Sequence, residues 1–157
     1  MITHLNSISV SKIIHPITLE AAKEVASNLL PNDRREIEEG HGVDANKYLL
    51  FAAQEPSNVY FTMPNGRTAG MAGVNKEGAI WMLCTSVIYD YPITFVREAK
   101  RYVEGRKEKL LWNIVDKRNT VHLKLLKHLG FRFLREFKHG PNNLSFIEFC
   151  KICAEIH

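Results

Sequence analysis

Between Val59 and Val87 the chain holds three short apolar runs separated by turn residues, whereas the segments around them repeat apolar residues every three or four positions. The runs are Val59-Tyr60-Phe61-Thr62-Met63, Thr68 to Val74 and Ala79 to Val87, broken by Pro64-Asn65-Gly66 and by Asn75 to Gly78. This pattern predicts a three-strand meander, with the most apolar run, Ala79 to Val87, as the central strand. Upstream, Ser9 to Ile14 reads as a first strand ended by His15-Pro16. Thr18 stands at an N-cap position, and Leu19, Ala22, Ala26, Leu29 and Leu30 follow at helical spacing until Pro31-Asn32-Asp33 breaks the helix. Arg34 to Glu39 is a polar helical turn stopped by Gly40-His41-Gly42. Asp44 caps a further short helix through Tyr48, Leu49, Ala52 and Ala53, which ends at Pro56.

Downstream, Pro92 suits the first turn of a long helix, with Val96, Ala99 and Val103 on its buried face and Arg97, Lys100, Arg101 and Lys107 toward water. Leu110 to Val115 is the next strand. A helix follows with Val121, Leu125 and Leu129 four residues apart and Gly130 just past its end. Phe131 to Phe137 and Leu144 to Phe149 form a hairpin around His139 to Asn143. The element order predicts one α/β domain over residues 1–157, a mixed central sheet flanked by helices.

Composition narrows the class. With 157 residues, 45% hydrophobic and 24% charged, the chain can bury a core of its own. The start Met1-Ile2-Thr3-His4-Leu5-Asn6 lacks the pattern of a secretory signal, and the apolar runs are too short to span a bilayer. A cytoplasmic protein with no membrane partner is expected. Three cysteines fit a reducing compartment. Cys150 and Cys153, on a strand, would point to opposite faces, and no second Cys/His pair has zinc-like spacing, so no metal site is expected.

Charge is unevenly spread. From Thr18 to Glu55 the acids Glu20, Glu24, Asp33, Glu36, Glu38, Glu39, Asp44 and Glu55 outnumber Lys23, Arg34, Arg35 and Lys47. From Arg97 to Lys138 the balance reverses to thirteen bases against five acids. A basic half suits the phosphates of a cofactor or a nucleic acid, and equally a pair of solvated helix faces. The acidic N-terminal third argues against an extended nucleic-acid footprint.

The meander before the long helix, and Asn119 followed eleven residues later by Gly130-Phe131, resemble the GNAT acyltransferase superfamily. The series Trp81-Met82-Leu83-Cys84-Thr85-Ser86, Leu111-Trp112-Asn113 and Asn119-Thr120-Val121-His122 is further similar to GNAT-related internal virion proteins of short-tailed lytic phages. The resemblance implies acetyl-CoA as acyl donor and an amine of a protein or small molecule as acceptor. It implies cofactor contacts at Leu83, Cys84, Thr85, Ile93, Thr94 and Asn119. Its alternative is a GNAT-fold protein without turnover that binds a virion or host protein, in the host cytoplasm or in the virion.

Two departures stand beside the resemblance. The loop opening the long helix, Ile88 to Thr94, has no glycine and carries Asp90 and Pro92 where the superfamily presents N–H groups to a pyrophosphate. Seven residues after Asn119, where many members place a Tyr as general acid, stands Leu126. Cys84, Ser86 and Tyr91 are the substitute catalytic candidates, with Tyr89 as an alternative to Tyr91, against ordinary packing roles for each. A Cys84 nucleophile would need His122 as its base, which requires the helix start to abut the strand end.

Overall fold

The computed structural model describes residues 12–153. Strand β1 (Ile14–Pro16) leads into α1 (Leu19–Ser27), then α2 (Pro31–Arg35), a π-helix (Glu36–His41) and α3 (Ala45–Ala52). The meander is β2 (Val59–Thr62), β3 (Thr68–Val74) and β4 (Ile80–Cys84), followed by a 3₁₀ turn (Ser86–Asp90) and α4 (Pro92–Glu104). The chain closes with β5 (Leu110–Asp116), α5 (Thr120–His128), β6 (Arg132–His139) and β7 (Leu144–Ile152).

Two antiparallel sheets result, ordered β1-β2-β3-β4 and β5-β7-β6. They meet where β4 and β5 begin side by side. A single parallel bridge links Ala79 to Trp112, and the Trp112 N–H donates to the Gly78 carbonyl at 3.1 Å. The Asn113 side-chain amide then donates to the Ile80 carbonyl at 2.9 Å. Beyond that point no main-chain hydrogen bond joins β4 to β5 among the described residues, and the two strands form a fork.

Side-chain alternation along β3 and β4 sorts the helices onto two faces. Met71 and Leu83 lie opposite each other in register and share a buried cluster with Val25 of α1 and Leu49 of α3. Cys84, on the other face, joins the cluster that holds Phe95 and Val103 of α4, Leu125 of α5 and Leu129 just past its end. The caps that set these helices match the sequence. Thr18 accepts from the Ala21 N–H, Asp44 from the Lys47 N–H and Asn119 from the His122 N–H.

Several expectations shift. Of the expected first strand, residues 9–11 lie outside the described residues, and β1 takes in His15 and Pro16 instead of ending before them. The first helix breaks before Pro31 as expected but already at Ser27, short of Leu29 and Leu30, and Pro31 opens α2, as its fixed φ permits at a first helical position. The apolar run Ala79 to Val87 is strand only to Cys84. Thr85 then accepts from the Val87 N–H and starts the 3₁₀ turn, and β4 edges its own sheet while fronting the fork. On α4 the buried residues are Phe95, Glu98 and Val103, with Val96 and Ala99 only half-buried. The last two strands do pair as a hairpin, but β7 lies between β6 and β5. No helix among the described residues is long and apolar enough to cross a membrane.

The β6–β7 turn also fixes the π-helix. Gly140 holds φ +76°, and a Cβ there would collide with the Gly40 carbonyl. Gly42 ends the π-helix at φ 73° and returns its N–H to the Ile37 carbonyl, five residues back. Gly140→Ala is therefore expected to destabilise the protein by on the order of 2–4 kcal/mol, through both backbone strain and the clash. Urea unfolding checks this, and an unchanged midpoint would contradict the close approach.

Candidate functional site at the strand fork

The segment from Leu30 to Glu39 lies across the open end of the fork and ties both strands. On the β4 side, the Leu30 N–H donates to the Cys84 carbonyl at 2.9 Å, and the Cys84 N–H donates to Asp33 Oδ2 at 2.8 Å. On the β5 side, the Asp116 N–H donates to Glu36 Oε1 at 2.9 Å. Arg118 pairs with Asp116 at 2.8 Å and with Glu39 at 3.0 Å. Asp33 and Glu36 stand three residues apart and so share a helix face, which lets one turn reach both strand ends.

Asp33 is 1% exposed. Its Oδ1 accepts from the Asn119 side-chain amide at 3.0 Å and lies 3.2 Å from His122 Nε2. The start of α5 thus abuts the end of β4. The Cys84 sulfur, the His122 nitrogen and an Asp33 oxygen all lie within 4.8 Å of one another. Burial, with Asp33 next, pushes the Cys84 thiol well above its ordinary value, so the thiol by itself is not an activated nucleophile.

Inside the fork is a cavity of about 240 Å³. Its wall toward the N-terminal helices carries Glu36, His41 and Tyr48, and its wall toward α4 and α5 carries Tyr102, His122 and Leu126. Burial raises the Glu36 carboxyl to about 7, against the opposing pull of His122 and the Asp116 N–H. Nearby, His41 Nδ1 sits 3.0 Å from His139 Nε2, and burial together with that neighbour lowers the His41 pKa. The Tyr102 hydroxyl is buried, and the Arg106 guanidinium lies 5.6 Å from the centre of its ring. Outside the cavity, Pro92, Ile93 and Val96 line an apolar groove edged by Arg97, Lys100 and His128.

Of the residues singled out from sequence, Leu83 lines the cavity, whereas Cys84, Ser86 and Tyr91 do not. Ser86 is exposed at the 3₁₀ turn, and Tyr91 is the N-cap residue of α4, with no side-chain capping bond. Cys84 has both backbone groups engaged by Leu30 and Asp33, and the Thr85 N–H is bonded to the Ala69 carbonyl at 2.9 Å. Asn119 divides its side chain between Asp33 and the first turn of α5. Ile93 is 79% exposed in the outer groove, and Thr94 is half-buried beside it. Asp33, Glu36 and His41 were not singled out. Their signal was an acid pair at i, i+3 running into Gly40, within a segment read as a polar surface turn.

Solved structures with the same architecture include GNAT-family acetyltransferases. A Bacillus anthracis acetyltransferase of the GNAT family superposes with a TM-score of 0.66 at 16% identity, covering 90% of this chain and 95% of that one. The Escherichia coli ribosomal-protein-S18-alanine N-acetyltransferase gives 0.60 at 17%, covering 92% and 95%. A Sinorhizobium meliloti phosphinothricin acetyltransferase in complex with AcCoA gives 0.60 at 11%, covering 90% and 88%. No protein-family signature matches the chain, and no curated protein matches it in sequence. The chain has the GNAT fold.

The Glu36 carboxyl gives a pH test of this geometry. Between its unfolded value of 4.5 and its folded value of about 7, the folded chain holds a proton that the unfolded chain has lost. Stability contributed by this group therefore falls as pH rises through that window. Glu36→Gln should gain on wild type across it, by on the order of 3 kcal/mol at pH 8. Paired urea titrations from pH 4 to 8 would show the gain, and a difference that stays constant with pH would contradict the raised carboxyl.

Proposed function

We propose that the chain is an N-acyltransferase in which an acetyl-CoA thioester reaches the fork from the α4–α5 face and an amine reaches it from the face of the π-helix. The observation that carries this reading is the cavity in the fork, with Glu36 on one wall and Tyr102 on the other. The GNAT fold and an AcCoA-bound structure of that fold support it. Basic side chains edging the α4 groove suit the coenzyme's phosphates, whereas the Cys84 edge already has its backbone groups engaged. Arg97, Lys100 and His128 would hold its phosphates, and Tyr102 would meet its polar arm. When bound, the coenzyme supplies an acetyl thioester.

This chain's residues supply the rest. The apolar walls at Leu83, Val115 and Leu126 exclude water from the fork. Glu36 takes the proton that the acceptor nitrogen must lose, from a wall backed by the acidic segment Glu36–His41. The basic α4–α5 face and the acidic π-helix face match the opposite charges of a phosphorylated donor and an ammonium acceptor.

Calorimetry with acetyl-CoA should show binding, weakened roughly tenfold in an Arg97→Ala/Lys100→Ala double variant. Glu36→Gln should bind the coenzyme as wild type does while forming acetylated amine at least about 100-fold more slowly. Folded protein that gives no heat at millimolar acetyl-CoA would overturn the reading.

A second reading rests on the engaged Cys84 edge and on Pro92 at the start of α4. In it the chain is a non-catalytic GNAT-fold protein bound to a virion or host protein, as its similarity to phage internal virion proteins implies. Copurification with virions would favour it, and acetylated product from host proteins would defeat it.

A further inference from the structure

We propose that Asp33, Cys84 and His122 form a binding site for a thiophilic divalent cation of the zinc class. The three side chains come from α2, the end of β4 and the first turn of α5, and their donor atoms converge within 4.8 Å of one another. Carboxylate, thiolate and imidazole are the ligand types zinc accepts.

The spacing is that of a ligand set. Bonds of roughly 2.0–2.1 Å to nitrogen and oxygen at a tetrahedral angle place those two atoms about 3.3 Å apart. His122 Nε2 and Asp33 Oδ1 are 3.2 Å apart. Nε2 is buried and meets no hydrogen-bond partner within the chain, which leaves it available to a metal beside the other two donor atoms. Asp33 is held by the Cys84 N–H on one oxygen and the Asn119 amide on the other, the outer-shell support that orients ligating carboxylates. Among the described residues no Lys or Arg forms an ion pair with Asp33, so the buried carboxylate has only His122 opposite it.

The thiol completes the logic. Buried and beside a carboxylate, Cys84 keeps its proton on its own. A bound cation would displace that proton and leave the thiolate as ligand. Three protein ligands leave one tetrahedral position for water or another donor. A metal here would lock the Leu30–Glu39 segment, β4 and α5 together at the open end of the fork.

Cobalt(II) titration of the apo-protein tests the site by its spectrum, and zinc stoichiometry follows by elemental analysis after gel filtration. Expected are one equivalent bound, a near-ultraviolet thiolate-to-cobalt band and the visible bands of a four-coordinate ion. Zinc should raise the melting temperature by about 5–10 °C at a hundredfold excess over its dissociation constant. Cys84→Ser should lose the charge-transfer band, His122→Gln should lose stoichiometric binding, and Cys150→Ser should keep both. Circular dichroism in chelator confirms that each variant is folded, and Asp33→Asn serves if Cys84→Ser is not. A charge-transfer band that survives in Cys84→Ser, binding unchanged in His122→Gln, or folded wild type without stoichiometric metal would overturn the proposal. In the last case the trio is a buried Asp–His pair beside a thiol.

Discussion

The buried carboxylate of Asp33 is the constraint on which the arrangement rests. Taking a carboxylate out of water is costly unless its lone pairs are met. Here they are met by the last amide of β4 and by the amide side chain that caps α5. One side chain therefore fixes where α2 crosses, where β4 stops and where α5 starts. Glu36, one turn later, repeats the device on β5 through the Asp116 N–H. The π-helix that follows turns His41 onto the cavity wall, and Gly40 lets its backbone lie against Phe146.

The fork follows from this tie. Strands that part after Ile80 expose edges that would otherwise recruit another strand. The Leu30–Glu39 segment covers those edges at the open end, with the cavity behind it. The uneven charge of the sequence becomes spatial there. Acidic helices stand on one face of the fork and the basic α4 and α5 on the other, with apolar walls between. An anionic donor and a cationic acceptor meeting in that space would each approach the face that attracts it.

Much of the fold was legible because it is written in local signals. The three apolar runs with their turns gave the meander, and Asn119 with Gly130 gave α5 and its ends. Where the reading failed, tertiary contacts decided. Leu29 and Leu30 fit the spacing of α1, yet the helix stops at Ser27 because both residues turn to the strand end at Thr85 and Cys84. The run to Val87 ends early because Thr85 caps a turn against its apolar neighbours. Glu98 is buried on α4, where spacing alone named only aliphatic positions. The site was less legible for the same reason. Asp33 lies 51 positions from Cys84 and 86 from Asn119, with His122 further still, so no local spacing joins the groups that meet at its carboxylate. Glu36 looked like one of several surface acids, and only the strand end above it reveals the burial.

The proposed chemistry requires that the fork itself hold the reacting groups. A crystal structure of the chain with acetyl-CoA tests it most directly. The thioester is expected between β4 and β5, its acetyl end facing Glu36 and its phosphates beside Arg97 and Lys100. Coenzyme bound elsewhere on the surface, with the fork filled only by the chain's own side chains, would contradict it.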